Sequence, residues 1–406
     1  MEENQVHIPE GWIEDSLGNI LNYEQPYNYT VDSTAYNDSS GIPVLTAGKS
    51  FKLGYTNEYH NVYRNTPVII FDDFTTDSKF VDFPFKVKSS AMKFLKPKNP
   101  KELDIKVIYG HIQNLKIRET GGDHKRRWIS EFSKLKVVLP PFEEQIQIAS
   151  ILSKVDEAMV KTKTLIDKYS RIKKGLMHDL LTKGIDKNGN IRNEETHPFK
   201  DSPLGRIPKE WKLKKLGLIA DFKSGYAFRF DQLTEFGIKI ARISNLHKPD
   251  FTYWHYDGPI KENWVAVDGD ILFTWAGVAS SIDCIKYKGE KVLLNQHIYN
   301  FKFQNDSIKE LTYRYLLFFL PKLRMEIEGG AGQLYLTKDK IQSILIPIIN
   351  PVEMDLIIER LIKMDFTIQK MENQLSKLQS IKKGLMQDLL SGKVRVNNLI
   401  KETESV

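Results

Sequence analysis

Ile172-Lys173-Lys174-Gly175-Leu176-Met177-His178-Asp179-Leu180-Leu181 recurs as Ile381-Lys382-Lys383-Gly384-Leu385-Met386-Gln387-Asp388-Leu389-Leu390, nine identities in ten positions set 209 residues apart. A repeat decides architecture before any local propensity does. Upstream, Ile8-Pro9-Glu10-Gly11-Trp12 returns as Ile207-Pro208-Lys209-Glu210-Trp211, 199 residues on, and Leu17-Gly18 returns as Leu216-Gly217. Val137-Val138-Leu139-Pro140 matches Ile344-Leu345-Ile346-Pro347 at an offset of 207, and the pairs Gly121-Gly122 and Gly329-Gly330 precede them. The drifting offset means that the ends of the unit are kept while its middle varies in length, as in a shared scaffold bearing different inserts.

The ends of each unit read as helix. Phe142 to Leu181 contains no proline, and apolar residues recur every seven positions. One seam is Ile148, Val155, Thr162, Tyr169 and Leu176; the other is Leu152, Met159, Ile166 and Leu180, interrupted by Lys173. The second copy gives Ile357, Met364, Met371, Leu378 and Leu385, then Leu361, Ile368, Leu375, Lys382 and Leu389. Heptads of this spacing predict a coiled coil. About 40 residues at ~1.5 Å each make a helix of roughly 60 Å. Because each helix follows its own domain in the same order, antiparallel pairing places the domains at opposite ends with approximate two-fold symmetry. Gly184 and Gly392 stand where helix C-terminal caps belong, and Pro140-Pro141 and Pro347 to Pro351 separate strand from helix.

The expected organisation is α+β: a first domain over 1–141, a long helix over 142–184, a turn-rich linker over 185–206, a second domain over 207–345, a second long helix over 346–393 and a flexible tail over 394–406. Strand signals are Pro67 to Phe71, Val107-Ile108-Tyr109, Asp270 to Thr274 and Ile298 to Phe301. Thr312 to Leu323 reads as a short helix with Tyr313, Leu316, Leu317 and Leu320 on one face.

A chain of 406 residues holds several compact units. Its single cysteine, Cys284, excludes an intrachain disulfide and a Cys-rich zinc site and fits a reducing compartment. No stretch reaches the ~18 apolar residues of a membrane span, and Met1-Glu2-Glu3 is unlike a signal peptide, so a soluble, cytoplasmic protein is expected. The net charge of +7 is too diffuse to argue from, but its placement is uneven: residues 1–85 hold 4 basic and 13 acidic groups, and 86–141 hold 14 and 5. The second domain holds 20 and 16.

Catalytic motifs fail on inspection. Gly48-Lys49-Ser50 lacks the first glycine of a phosphate-binding loop, that position being Pro43. Leu139-Pro140-Pro141-Phe142 puts leucine where an amino-methyltransferase needs an amide or carboxylate. Asp186, Asn188 and Asn190 begin like a calcium loop, but Ile191 and His197 replace its glycine and closing glutamate. Asp72, Asp73, Asp77 and Lys79 suggest a nuclease only loosely, and no pair of histidines has metal spacing.

The repeat, the two Ile-Lys-Lys-Gly-Leu-Met segments, Leu139-Pro140-Pro141-Phe142-Glu143-Glu144-Gln145 and the segment from Asp201 to Trp211 together resemble the DNA specificity subunit of type I restriction-modification systems, over nearly the whole chain. The resemblance implies two target-recognition domains held apart by two helices that pair as an antiparallel coiled coil, with modification and restriction subunits around them. It implies a non-catalytic subunit that binds double-stranded DNA and no cofactor of its own. S-adenosylmethionine would come with the methyltransferase partner, and ATP and magnesium with the translocating nuclease. One departure is Asn350-Pro351-Val352-Glu353-Met354, which lacks the Glu-Gln pair of the first copy.

Such a protein reads two half-sites separated by a spacer whose length the helices fix. Base edges require polar side chains, and phosphates require Lys and Arg. In the first domain the candidates are Lys125, Arg126 and Arg127, after Gly121-Gly122. In the second they are Arg229, Arg242 and Asn245, after Ser224-Gly225-Tyr226, with Gln333 and Tyr335. The rival reading is a coiled-coil adapter that joins proteins without touching DNA; the basic half of 86–141 speaks against it.

Overall fold

The structure, a computed structural model, describes residues 8–46, 50–115, 126–248, 250–326, 328–330 and 333–403. The chain divides into two compact units, Met1–Leu165 with Met371–Val406, and Ile166–Lys370. Each of the two long helices, Phe142–Thr182 and Pro351–Leu390, is thereby divided between the units.

In the first unit, a four-stranded antiparallel sheet runs in the order Leu21–Glu24, Met92–Pro97, Val68–Asp72, Ser78–Val81. The strand Val68–Asp72 is apolar without alternation because both faces are covered, as buried strands are. Ile69 and Phe71 pack with Ile108, Trp128 and Phe132. Val68 and Ile70 pack with Tyr63, Phe85 and Phe94. A smaller sheet joins Lys52–Thr56, Ile42–Leu45 and Lys86–Val87, its last pairing parallel.

The second unit repeats this plan. Its four-stranded sheet runs Ala220–Ser224, Ile298–Phe303, Ile271–Thr274, Asp283–Lys286, again antiparallel throughout. Its companion sheet orders Trp254–Tyr256, Ile238–Ala241, Val292–Leu294 and Val265–Ala266, with a parallel pairing in the same place. In both units a short antiparallel pair leads into the long helix: Ile13–Ser16 with Lys136–Leu139, and Lys212–Lys215 with Leu345–Ile348.

Helix pairing is antiparallel within each unit. In the first, Ile148, Ala149 and Leu152, near the start of one long helix, share a core with Met386, Leu389 and Leu390, at the end of the other. In the second, Leu180 and Leu181 meet Ile357, Ile358 and Leu361. Leu152 and Leu361 are buried, and Val155, Met159, Ile166, Tyr169, Met364, Ile368, Leu375 and Leu378 are half-buried. The lysines that interrupt the seams are used rather than merely tolerated. Lys382 pairs with Asp156 at 2.6 Å, and Lys173 pairs with Asp365 at 2.5 Å, both aspartates also lying 209 residues apart.

Three expectations change. Val107-Ile108-Tyr109 is not a strand but part of the helix Ile105–Asn114, whose N-cap Asp104 accepts from the N–H groups of Lys106 and Val107. Three apolar residues in a row do not distinguish the two states. The helix expected from Thr312 begins at Asp306, capped by Asn305, and Leu311 and Tyr315 join Leu316 and Leu320 in the core while Tyr313 and Leu317 stay half-buried. The tail expected to be flexible begins with a docked segment: Val396 is buried, Arg395 reaches Glu144, and Asn397–Thr403 is helical. Gly184 and Gly392 have φ of +64° and +70°, the left-handed conformation a helix C-terminus requires.

Candidate nucleic-acid interface

Two carboxylates fix the starts of the long helices. Glu144, fully buried, accepts from Trp12 Nε1 at 3.1 Å, from the Val396 N–H at 3.3 Å and from Arg395 at 2.9 Å. Glu353 does the same in the second unit, accepting from Trp211 Nε1 at 3.4 Å, the Ile185 N–H at 3.1 Å and Arg192 at 2.5 Å. Trp12 and Trp211 are the tryptophans of the repeated motif, and Glu144 and Glu353 lie 209 residues apart. The second copy therefore keeps the glutamate of the Glu-Gln pair, and only the glutamine is replaced, by Met354. A buried carboxylate is tolerated when it is paired and fully hydrogen-bonded. Asp186 accepts from the N–H groups of Asn188 and Asn190, so that segment is a turn closing the same region.

Part of the basic half of the first domain is engaged by the domain's own groups. Lys86, fully buried, pairs with Glu58 at 2.8 Å and donates to the His60 carbonyl at 3.2 Å. The Glu58 carboxyl is held down at about 2, first by the Lys86 ammonium and further by the N–H groups of Asp32 and Ser33, against the opposing effect of burial. Lys93 pairs with Asp73 at 3.0 Å and Lys136 with Glu14 at 2.6 Å. Lys96 and Lys98 donate to the carbonyls of Asn65 and Gly18. Three acidic residues of 1–85, Glu14, Glu58 and Asp73, are thus partners of basic residues of 86–141. The charge left for a ligand is smaller than the count along the chain, but exposed cations of 86–141 remain.

Lys88, Lys101 and Lys134 stay exposed, and the segment around Arg126 adds a further exposed cation. Arg126 is exposed, and Arg127, half-buried, opens the short helix Arg127–Ser130. Buried Trp128 seats this segment against Phe71, ring centroids 5.5 Å apart. Lys125, like Gly121 and Gly122, lies outside the described residues, as does the Gly48-Lys49 pair. The aspartates once suggestive of a nuclease are structural: Asp72 accepts from the N–H groups of Phe74 and Thr75, and Asp73 from Trp128. Asp32, Glu58 and His60 lie close enough to share an ion, yet Glu58 is already engaged by Lys86 and His60 by Asp32 at 3.0 Å.

In the second domain the structure separates the candidates. Arg229 is exposed and pairs with Asp231 at 3.1 Å. Arg242 lies 4.2 Å over the Trp254 ring and donates to the Thr252 carbonyl at 2.6 Å. Asn245 is not a base contact. It is 1% exposed, its Oδ1 accepts from the Arg242 N–H and its Nδ2 donates to the Phe251 carbonyl, so it ties a loop and cannot meet a base edge. Tyr335 is exposed on the strand Gln333–Tyr335, while the Gln333 side chain lies outside the described residues. Two exposed aromatic groups that the sequence did not single out are Phe230, next to Arg229, and Phe236, 82% and 74% exposed. Phe230 packs on Trp254 at 5.7 Å, and aromatic groups left in solvent beside cations suit a nucleic-acid surface. The only signal in the sequence was the aromatic spacing Tyr226, Phe228, Phe230.

The family model described as "Type I restriction modification DNA specificity domain" matches residues 9–168 and 208–380. The chain is 38% identical over 211 residues to the type I restriction enzyme EcoR124I/EcoR124II specificity subunit of Escherichia coli, a match spanning 52% of this chain and 48% of that protein. It is 28% identical over 425 residues to the type I restriction enzyme MjaVIII specificity subunit of Methanocaldococcus jannaschii, spanning 98% and 96%. Its fold is similar to the crystal structure of a type I restriction-modification S subunit from M. genitalium, with a TM-score of 0.60, 17% identity, and 96% and 97% of the two chains covered. Among the described residues no helix is long and apolar enough to cross a membrane.

Proposed function

The chain belongs to the type I restriction-modification DNA specificity family, and from that premise we propose that it reads a bipartite target in double-stranded DNA, one half-site per domain, for the enzyme complex it serves. The observation that carries this is the duplication itself. Two domains of one topology, each with its own sheet pair and its own anchor at Glu144 or Glu353, are joined through shared helices whose length is fixed by sequence. Such an object measures a spacer. Arg126 and Arg127 in the first domain, and Arg229 with Phe230 in the second, are the groups assigned to DNA. Arg242 supports the second surface through Trp254, on which Phe230 also packs, and exposed Tyr335 is a further candidate.

The chain is a recognition subunit without catalytic chemistry of its own in this reading. Modification subunits carrying S-adenosylmethionine, and restriction subunits carrying ATP and magnesium, supply the reactions in the cytoplasm. The adapter alternative shares the helices but predicts no sequence dependence. Co-expression with the products of neighbouring genes, followed by mapping of modified adenines in the host genome, separates the two. A bipartite motif with a constant spacer is expected. Modification that depends on this chain but follows no motif would overturn the proposal.

A further inference from the structure

Resting on the reading of Arg126 and Arg127 as DNA contacts, we infer that Asp73 is a positioning residue for the recognition segment of the first domain. Asp73 lies just past the strand Val68–Asp72 and is 5% exposed; Lys93, on the neighbouring strand, is 2% exposed. The carboxylate is divided between two tasks. Oδ2 holds the Lys93 ammonium at 3.0 Å, and Oδ1 accepts the Trp128 N–H at 2.9 Å.

The second task is the informative one. The first N–H groups of a helix have no partner within it. Arg126 stands at the N-cap of Arg127–Ser130 and provides no side-chain cap, so a carboxylate 55 residues upstream in the chain does so. A basic segment led by exposed Arg126 is thereby fixed by its backbone to the central sheet, while the Trp128 ring is fixed against Phe71. Replacing a buried ion pair by apolar groups is often neutral in stability, so stability alone does not account for this pair, and its assigned role is the geometry it imposes. Contacts that read sequence lose their effect when displaced by a fraction of an ångström, which makes the backbone anchor part of the reading.

The test uses the full chain with its co-purified modification subunits and duplexes carrying the mapped target, with either half scrambled. The half belonging to the first domain is the one unchanged when residues 207–345 are exchanged. Asp73→Ala/Lys93→Met and Asp73→Asn/Lys93→Met both lack the ion pair, but only asparagine still offers an acceptor to Trp128. The alanine variant should lose about tenfold in discrimination at the first half-site, the cost of one unsatisfied buried donor, and nothing at the second. The asparagine variant should stay within about threefold of the unaltered protein. Arg126→Ala/Arg127→Ala should lower the salt dependence by roughly one unit per lost phosphate contact. If that slope is unchanged, the reading of the arginines fails and the inference with it. If the arginines matter but the two Asp73 variants behave alike, or both half-sites weaken together, the positioning role is refuted while the arginine reading stands.

Discussion

At Glu144 and at Glu353 the two units make the same knot: tryptophan indole, arginine and a backbone N–H on one carboxylate. One residue later they part. Gln145 accepts the Asp104 N–H at 2.8 Å and donates to the carbonyls of Glu102 and Pro140 at 3.0 and 2.9 Å. Met354 can make none of these bonds and packs into the apolar core instead. The charge pairs diverge similarly. Asp156 meets Lys382, whereas Asp365 meets both Lys173 and Arg314, and Arg314 in turn pairs with buried Glu310. The duplicated frame is thus conserved where helix and domain must meet, and rebuilt wherever the domain's own elements lean on it.

If the knots are equivalent but separate, breaking one should harm one unit. Glu353→Ala leaves Arg192, with 8% of its side chain exposed, only the half-exposed Glu210 carboxylate at 3.1 Å and should cost about 3–4 kcal/mol. Glu144→Ala should cost less, about 3 kcal/mol, because Arg395 is 29% exposed and stays hydrated. Hydrogen exchange should show lost protection confined to the unit carrying the substitution, and equal loss in both would break the comparison. A smaller effect sharpens it. Gln145→Met imposes the second unit's residue on the first and leaves the Asp104 N–H without an acceptor, an expected loss of about 1–3 kcal/mol in denaturant unfolding. If it is neutral, the two helix starts are interchangeable and the rebuilding has no energetic content. The smallest effect comes from the partly exposed seam pairs. Lys382→Met should cost at most about 1 kcal/mol. Lys173→Met should cost less still, since Asp365 keeps Arg314. The reverse order in thermal unfolding would show that Arg314 does not substitute.

The frame was legible in the sequence because a coiled-coil seam and a duplicated motif are periodic signals. The seam residues from Leu152 to Leu378 can be picked out by spacing alone, and even Lys173 and Lys382 announce themselves as interruptions. The site was less legible. Ion pairs such as Glu58 with Lys86 and Asp73 with Lys93 join the acidic stretch to the basic one, so part of the charge contrast read along the chain cancels in space. Asn245 shows the second limit: a polar residue in a loop looks the same whether it faces a ligand or ties the loop from within. Phe230 and Phe236 show the third, since an aromatic residue is assigned to the core until its exposure is known.

The central claim is that each domain reads its own half of one target. It is tested most directly by replacing residues 207–345 with the corresponding domain of another family member and mapping the modified adenines in cells carrying the hybrid. One half of the motif should change while the other half and the spacer length stay as they were. A change in both halves, or a change in spacer with the helices untouched, would contradict the account.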